Sequence, residues 1–277
     1  MVRPADAAGP RQMKRMEPML LRRLAETLRA GGIEDAELEA KWITEDAASE
    51  ADALEIAQRR AKHEPLQYLL GTWEFYGLPF CVGEGVLIPR ADTETLVDAV
   101  RMRIPDAAGQ QIADLCTGSG CIALALAAHM PLTQFTGIDI SGQALQYAQK
   151  NIALNGARNM RTECADVLAG ETAAQYHGLA AVVCNPPYLT AEDMQNLQAE
   201  VRYEPALALF GGTDGLDFYR RITALWRGAL AEGGLLAFET GCTQGDAVRE
   251  LLSDNGFHET EILRDLSGNP RVVLGRK

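Results

Sequence analysis

The chain reads as an α/β protein: a mostly parallel β-sheet with helices on both faces, preceded by a helical segment and a hairpin. Three observations lead to that class. From about residue 96 onward, short apolar runs alternate with amphipathic stretches, the pattern of successive βαβ units. Residues 18 to about 70 contain no strand-like run and repeat apolar residues at one-face helical spacing. Between them, residues 71–90 interleave aromatics with Gly and Pro, as a β-hairpin or extended linker requires.

The elements follow in order. Residues 1–17 have no apolar centre of the kind a signal peptide carries, so a short disordered extension is expected there. Leu20, Leu21, Leu24, Ala25 and Leu28 mark the buried face of a first helix, which Gly31-Gly32 closes. Amphipathic stretches follow around Trp42-Ile43 and Leu54-Ile56, then H-E-P-L-Q-Y-L-L. Arg22, Arg23, Arg29, Arg59 and Arg60 are read as solvated helix surface in preference to a docking face. In the α/β part, Q-Q-I-A-D-L is a strand and C-I-A-L-A-L-A-A-H-M a helix. The strand Q-F-T-G-I-D-I and the helix Q-A-L-Q-Y-A-Q-K-N-I-A-L-N-G repeat the pair. R-T-E-C-A-D is a short strand and L-A-A-V-V-C-N a wholly apolar one. A long helix through F-Y-R-R-I-T-A-L-W-R-G-A-L precedes the strand G-L-L-A-F-E-T. A further helix and two strands, H-E-T-E-I-L and R-V-V-L-G, finish the chain. The expected division is a helical domain at 18–70, a hairpin linker at 71–95 and the α/β domain at 96–277.

Composition bounds the function. A chain of 277 residues, 47% hydrophobic and 23% charged, can bury a large core. No apolar run reaches membrane length. A formal net charge of −12 argues against a sequence-independent grip on DNA or RNA. The six cysteines (Cys81, Cys116, Cys121, Cys164, Cys184, Cys242) form no C-x-x-C pair, so buried reduced thiols in a cytoplasmic protein are expected. Four dispersed histidines offer no metal-ligand cluster, and no metal is expected.

D-L-C-T-G-S-G-C-I-A at 114–123 joins the first strand of the α/β part to its helix. Gly118 and Gly120 let the backbone turn sharply and approach a ligand. The next strand ends at Asp139, where an acid can accept from ribose hydroxyls. Three readings compete for this loop: a nicotinamide or flavin binder, an S-adenosylmethionine binder, and a structural turn. Asp114 favours the second, because a carboxylate before the glycines can face a methionine ammonium group. Asp166, ending the third strand, can accept from an adenine amino group or act as a helix cap or turn residue.

C-N-P-P-Y-L at 184–189 ends the fourth strand at the same sheet edge. Two prolines cannot continue a central strand. Asn185 supplies a side-chain carbonyl acceptor, and Pro186 a backbone carbonyl whose direction Pro187 restricts. Two fixed acceptors suit an –NH2 group, and Tyr188 offers a flat face to its planar carrier. An amide or aromatic amine nitrogen is a poor nucleophile because its lone pair is delocalised. Gripping both hydrogens favours a pyramidal nitrogen aimed at a methyl group, an orientation effect worth about 7–11 kcal/mol in favourable cases. The residues therefore point to an S-adenosylmethionine-dependent N-methyltransferase with Asn185 and Pro186 in the catalytic role.

The sequence resembles the HemK/PrmC family of protein-(glutamine-N5) methyltransferases from about residue 18 to the C-terminus. The likeness lies in E-P-L-Q-Y-L-L-G-T-W-E-F-Y-G-L-P-F at 64–80, L-I-P-R-A-D-T-E at 87–94, D-L-C-T-G-S-G-C-I-A-L-A-L at 114–126, G-I-D-I-S and N-P-P-Y. It continues in Y-E-P-A-L-A-L-F-G-G-T-D-G-L-D-F-Y-R at 203–220 and R-D-L-S-G-N-P-R-V-V at 264–273. N-P-P-Y alone also admits nucleic-acid amino-group (adenine-N6 or guanine-N2) methyltransferases. The resemblance implies an N-terminal helical bundle, a β-hairpin linker and a seven-stranded, Rossmann-like class I methyltransferase domain. It implies S-adenosyl-L-methionine as methyl donor and, as acceptor, the glutamine of the Gly-Gly-Gln loop of class I peptide chain release factors. Carried over by motif, Thr117, Gly118, Ser119, Gly120 and Cys121 form the cofactor loop, Asp139 holds the ribose and Val167 lies beside the adenine. Asn185, Pro186, Pro187 and Tyr188 clamp the glutamine, with Asn185 between cofactor and substrate. A monomer that does not bind nucleic acid directly is expected. The chain departs from the family at Ala91, where a proline is usual, and Cys116 stands where many methyltransferases have Gly. The roles of Arg90 and Glu94 stay open.

Overall fold

A computed structural model describes residues 18–277, so the expectation for residues 1–17 lies outside the described residues. Helices α1 (Pro18–Ala30), α2 (Ala36–Asp46), α3 (Glu50–Arg60) and α4 (Leu66–Leu70) come first. Leu20, Leu24, Leu28, Ile43 and Ile56 form their shared core. α1 stops where the glycines predicted: Gly32 has φ +79°, and a Cβ on Gly31 would lie 2.5 Å from the Ala61 carbonyl oxygen. The arginine face is not uniform. Arg60, with a side chain only 5% exposed, forms a bidentate pair with buried Glu39 (2.6 and 3.0 Å) and reaches Glu200 at 2.7 Å.

Strands β1 (Thr72–Phe75) and β2 (Leu78–Cys81) make the expected hairpin, with Thr72 opposite Cys81. Its two-residue turn, Tyr76-Gly77, has φ of +55° and +73°, the mirror-image turn whose twist matches that of the strands. Helix α5 (Glu94–Arg103) was not anticipated and begins inside the segment read as a linker. Leu96, Val97 and Val100 have helical spacing and are buried, but the Gly and Pro density just upstream masked them.

The main sheet has seven strands in the order β5-β4-β3-β6-β7-β9-β8. These are β3 (Gln111–Leu115), β4 (Gln134–Asp139), β5 (Met160–Cys164), β6 (Leu179–Cys184), β7 (Leu230–Glu239), β8 (His258–Arg264) and β9 (Pro270–Arg276). β3 through β7 pair in parallel, while β9 runs antiparallel to both β7 and β8. α5, α6 (Cys121–His129) and α7 (Gly142–Asn155) cover one face. α8 (Gly170–Ala173), α10 (Asp217–Trp226) and α11 (Gly245–Asp254) cover the other. The short α9 (Ala191–Gln195) follows the N-P-P-Y segment. α10 is shorter than expected: Arg227–Ala229 form a 3₁₀ turn, and buried Leu230 already belongs to β7, paired with Leu179 of β6. The chain runs outward through β3, β4 and β5, then returns to β6. The topological switch point therefore lies between β3 and β6, where open α/β sheets hold ligands.

All six cysteines are free, but only Cys184 is fully buried, and Cys164 and Cys242 are exposed. Among the described residues no helix is long and apolar enough to cross a membrane. No group of His, Cys, Asp and Glu among them could hold a metal ion. Truncating Arg60 leaves Glu39 buried and uncompensated, so Arg60→Ala is expected to destabilise the chain by about 3–5 kcal/mol. Arg59→Ala, which removes a more exposed pair with Glu64, should cost less than about 1 kcal/mol. Urea denaturation of the full chain measures both, and equal losses would refute the buried role of Arg60.

Candidate active site

Beyond Leu115 the chain makes three left-handed turns: Cys116 at φ +56°, Gly118 at +56° and Gly120 at +80°. A side chain is accommodated at Cys116, in a region that L-residues enter at some cost. The two glycines serve different ends. A Cβ on Gly118 would meet nothing closer than a Val86 methyl at 4.0 Å, so the loop leaves open space there. A Cβ on Gly120 would press on Met160 and Ala148 at 3.2–3.3 Å, a matter of packing.

These turns carry the loop back over the strand end, and that moves Asp114. Its side chain is fully buried beneath the loop, where Oδ2 accepts from the Thr117 hydroxyl (2.6 Å) and the Ala123 N–H (3.3 Å). Oδ1 has no hydrogen-bond partner among the described residues, and Asp114 does not line the cavity above it. The expectation that it faces a ligand ammonium group is thus corrected: it braces the loop from below. Asp139 does reach the cavity. Its Oδ2 accepts from the Gly118 N–H and its Oδ1 from the Ser141 N–H, both at 2.8 Å. Burial raises its pKa.

A cavity of about 240 Å³ opens over the loop. Thr117, Gly118, Ser119, Cys121 and Asp139 line one side, with Asp166 and Val167 beyond. Asp166 also accepts from the Leu168 N–H at 2.8 Å, so it borders the cavity and shapes a turn together. Gly120 lies outside this wall. A second cavity, about 340 Å³, adjoins the first. The N-P-P-Y segment divides between them: Pro187 borders the first, Pro186 and Tyr188 the second, and Asn185 both. Burial pushes the Tyr188 phenol up to about 12.

The rigidity of N-P-P-Y has a tertiary source. Leu189 N–H donates to the Leu209 carbonyl (2.8 Å), and Gly211 N–H to the Leu189 carbonyl (2.9 Å). A Cβ on Gly211 would sit 2.6 Å from the Pro187 oxygen, so only glycine fits this approach. Gln244 donates to the Tyr188 carbonyl at 3.0 Å. Four further residues shape the site without having been singled out for it. Buried Glu204 accepts from Arg90 and from the Ile88 N–H, tying the strip that borders both cavities. Buried Asn151 on α7 brackets Cys81 of the hairpin and donates to the Ser119 carbonyl at 3.0 Å. Thr93 accepts from Asn185 Nδ2 at 3.5 Å. Glu239, 1% exposed, borders the second cavity, and Glu94 accepts from the Tyr76 N–H rather than facing either cavity. A charged residue closing the apolar run L-L-A-F was the one sequence signal for Glu239.

Burial raises the carboxyls of Asp114 and Glu239 to about 7. The folded chain therefore binds protons that the unfolded chain has released. The stability these groups contribute is complete below their unfolded pKa values and lost as pH rises through about 7. The urea midpoint of the free protein should fall from about pH 6 to about pH 8, and Asp114→Asn should show a shallower fall. Equal slopes in the two proteins would count against the buried placement of Asp114.

Comparison with known proteins adds three findings. A family model described as "Methyltransferase small domain" matches residues 91–203. The release factor glutamine methyltransferase of Moorella thermoacetica is 41% identical over 92% of this chain and 94% of its own. That of Geobacter sulfurreducens is 41% identical over 88% and 91%. A methyltransferase crystal structure from Pyrococcus furiosus matches with a TM-score of 0.54 at 15% identity, over 73% of this chain and 90% of that chain, a likeness of fold alone. With its seven-stranded sheet, its glycine loop and its N-P-P-Y edge, the chain belongs to the release factor glutamine methyltransferase family.

Proposed function

We propose that this protein transfers a methyl group from S-adenosyl-L-methionine to the side-chain amide nitrogen (N5) of the glutamine in the Gly-Gly-Gln loop of class I peptide chain release factors. The observation that carries the reading is Asn185, standing on the wall between two adjoining cavities in a chain of this family. The first cavity suits the methyl donor. Each Asp139 oxygen accepts one backbone N–H and keeps a lone pair for a ribose hydroxyl. Asp166 and Val167 border the part suited to adenine, and the open space beyond Gly118 lets the methionine portion approach the backbone. When bound, S-adenosyl-L-methionine supplies a methyl group activated by its sulfonium.

The chain's own task is orientation. Asn185 Oδ1 and the Pro186 carbonyl accept the two amide hydrogens of the glutamine, which turns the nitrogen lone pair toward the first cavity. Tyr188 packs on the amide plane from the second. A fixed near-attack geometry replaces a strong base, because the nitrogen sheds its proton readily once it carries the methyl. The same reading has a monomer act in the cytoplasm without a metal. Residues 18–70 then form a separate helical domain, joined through 71–95.

The purified protein is expected to transfer one labelled methyl to a release factor, and replacing the loop glutamine should abolish it. Label that persists without this glutamine overturns the substrate. Asn185→Ala should lower kcat about 100–1,000-fold, the range for losing one preorganised polar group. S-adenosylhomocysteine binding by calorimetry should stay within about threefold, since Asn185 acts mainly on the acceptor side.

A further inference from the structure

Glu239 is the last residue of β7, and its position is set by the sheet. In the parallel β6–β7 pair Cys184 lies opposite Phe238, so Asn185 and Glu239 emerge side by side at the carboxyl edge. Both border the second cavity. Thr93, 2% exposed at the start of α5, reaches them together. Its hydroxyl accepts from Asn185 Nδ2 at 3.5 Å, and its attraction to the Glu239 carboxyl opposes the rise in pKa that burial causes. Glu239 Oε2 has no hydrogen-bond partner among the described residues. Arg271, whose charge favours an ionised Glu239, is bound to Asp92 (3.0 Å) and Asp265 (3.2 Å).

A buried carboxylate with one oxygen unpartnered is costly, and this one lies at the rim of a cavity. A hydroxyl has one hydrogen to give and two lone pairs. An ionised Glu239 accepts only, so it draws the Thr93 hydrogen to itself. The Thr93 oxygen is then left to accept, and the Asn185 –NH2 is held against it. That places Asn185 Oδ1 on the other side. The terminal torsion of an Asn side chain is soft and nearly two-fold. A flipped Asn185 would present donors to an acceptor amide that itself has only hydrogens to give.

We propose that Glu239 is a positioning residue for the methyl transfer, acting through the Thr93 hydroxyl to fix the Asn185 amide with its oxygen toward the acceptor cavity. This rests on the glutamine-methylation reading above. Ionisation of Glu239 is what sets the direction of the Thr93 hydrogen. Burial raises its pKa to about 7, while Arg271 (β9) and Arg90 (before α5) pull it down and Asp92 pushes it up. Tyr188 after β6, Tyr219 on α10 and Cys121 on α6 also feel its charge. Below about 7 the carboxyl becomes a donor toward Thr93, the hydroxyl hydrogen is released, and the preference for one Asn185 orientation is lost. Turnover should therefore fall with falling pH. Asp114 titrates in the same range, so the wild-type profile alone does not decide the matter.

The deciding experiment compares the wild-type enzyme with Glu239→Gln, Thr93→Val, Thr93→Ser and the Gln/Val double variant, assayed on a release factor from about pH 6 to about pH 9. Glu239→Gln and Thr93→Val should each lower kcat roughly 10–100-fold, the range seen for outer-shell partners. Binding of S-adenosylhomocysteine should stay near the wild-type value. Thr93→Ser, which keeps the hydroxyl, should restore most of kcat. The double variant should be no slower than either single one, because both break one chain of hydrogen bonds. Glu239→Gln should also lose the acid limb due to this carboxyl. Full kcat in Glu239→Gln, or an unaltered acid limb, overturns the proposal. Should that variant not fold, full kcat in Thr93→Val overturns it equally. An inactive wild-type enzyme would instead sink the glutamine-methylation reading itself.

Discussion

The parallel pairing of β3 with β6 sets Leu115 beside Cys184, and both cavities depend on it. The residues just past that pair are the glycine loop on one strand and Asn185 on the other. Neither segment is a site alone: the loop offers backbone and open space, and the N-P-P-Y segment offers acceptors with nothing to aim at. The sheet brings them to one edge because the chain reverses its direction of travel between these two strands. A one-residue slip in the register would turn every side chain to the opposite face and separate them. β3 and β6 are buried on both faces, so the slip would drive side chains packed in one helical layer into the other, where they do not fit.

Stiffness at this edge comes from glycine and proline together. The prolines restrict the direction of the N-P-P-Y carbonyls, but it is Gly211, pressed on the Pro187 carbonyl, that allows the 203–220 segment to close over them. Glu204 of the same segment, buried with Arg90, ties down the strip between hairpin and α5. The 203–220 segment therefore supports the N-P-P-Y wall between the two cavities. Arg60 extends the support outward: through Glu200 it links the helical segment to the chain bordering the second cavity.

Two buried carboxyls, Asp114 and Glu239, lie on opposite sides of Asn185's neighbourhood and differ in kind. Each has one oxygen without a hydrogen-bond partner among the described residues. Asp114 is held at its other oxygen by the loop it braces, through the Thr117 hydroxyl and the Ala123 N–H, and lines neither cavity, whereas Glu239 stands at the rim of one. Both raise the cost of the folded state at alkaline pH. Only Glu239 is placed to convert that cost into the orientation of another side chain.

Sequence alone determined the α/β class, the hairpin, seven strands close to their observed bounds and the meeting of glycine loop, Asp139 and N-P-P-Y on one edge. These are local or periodic properties: apolar alternation, glycine at left-handed turns and proline at a strand end are written in neighbouring residues. Helix α5 was missed because punctuation upstream masked its apolar face, and α10 ran too far because R-G-A-L reads as helix until Leu230 finds Leu179 across the sheet. What only the tertiary structure decided is which way each polar side chain points. Asp114 goes beneath its loop rather than into the cavity, Arg60 is buried rather than solvated, and Thr93 and Glu239 meet Asn185 from distant parts of the chain. Spacing along a chain carries no record of such contacts, because they are fixed by strand order and by helices packing onto the sheet.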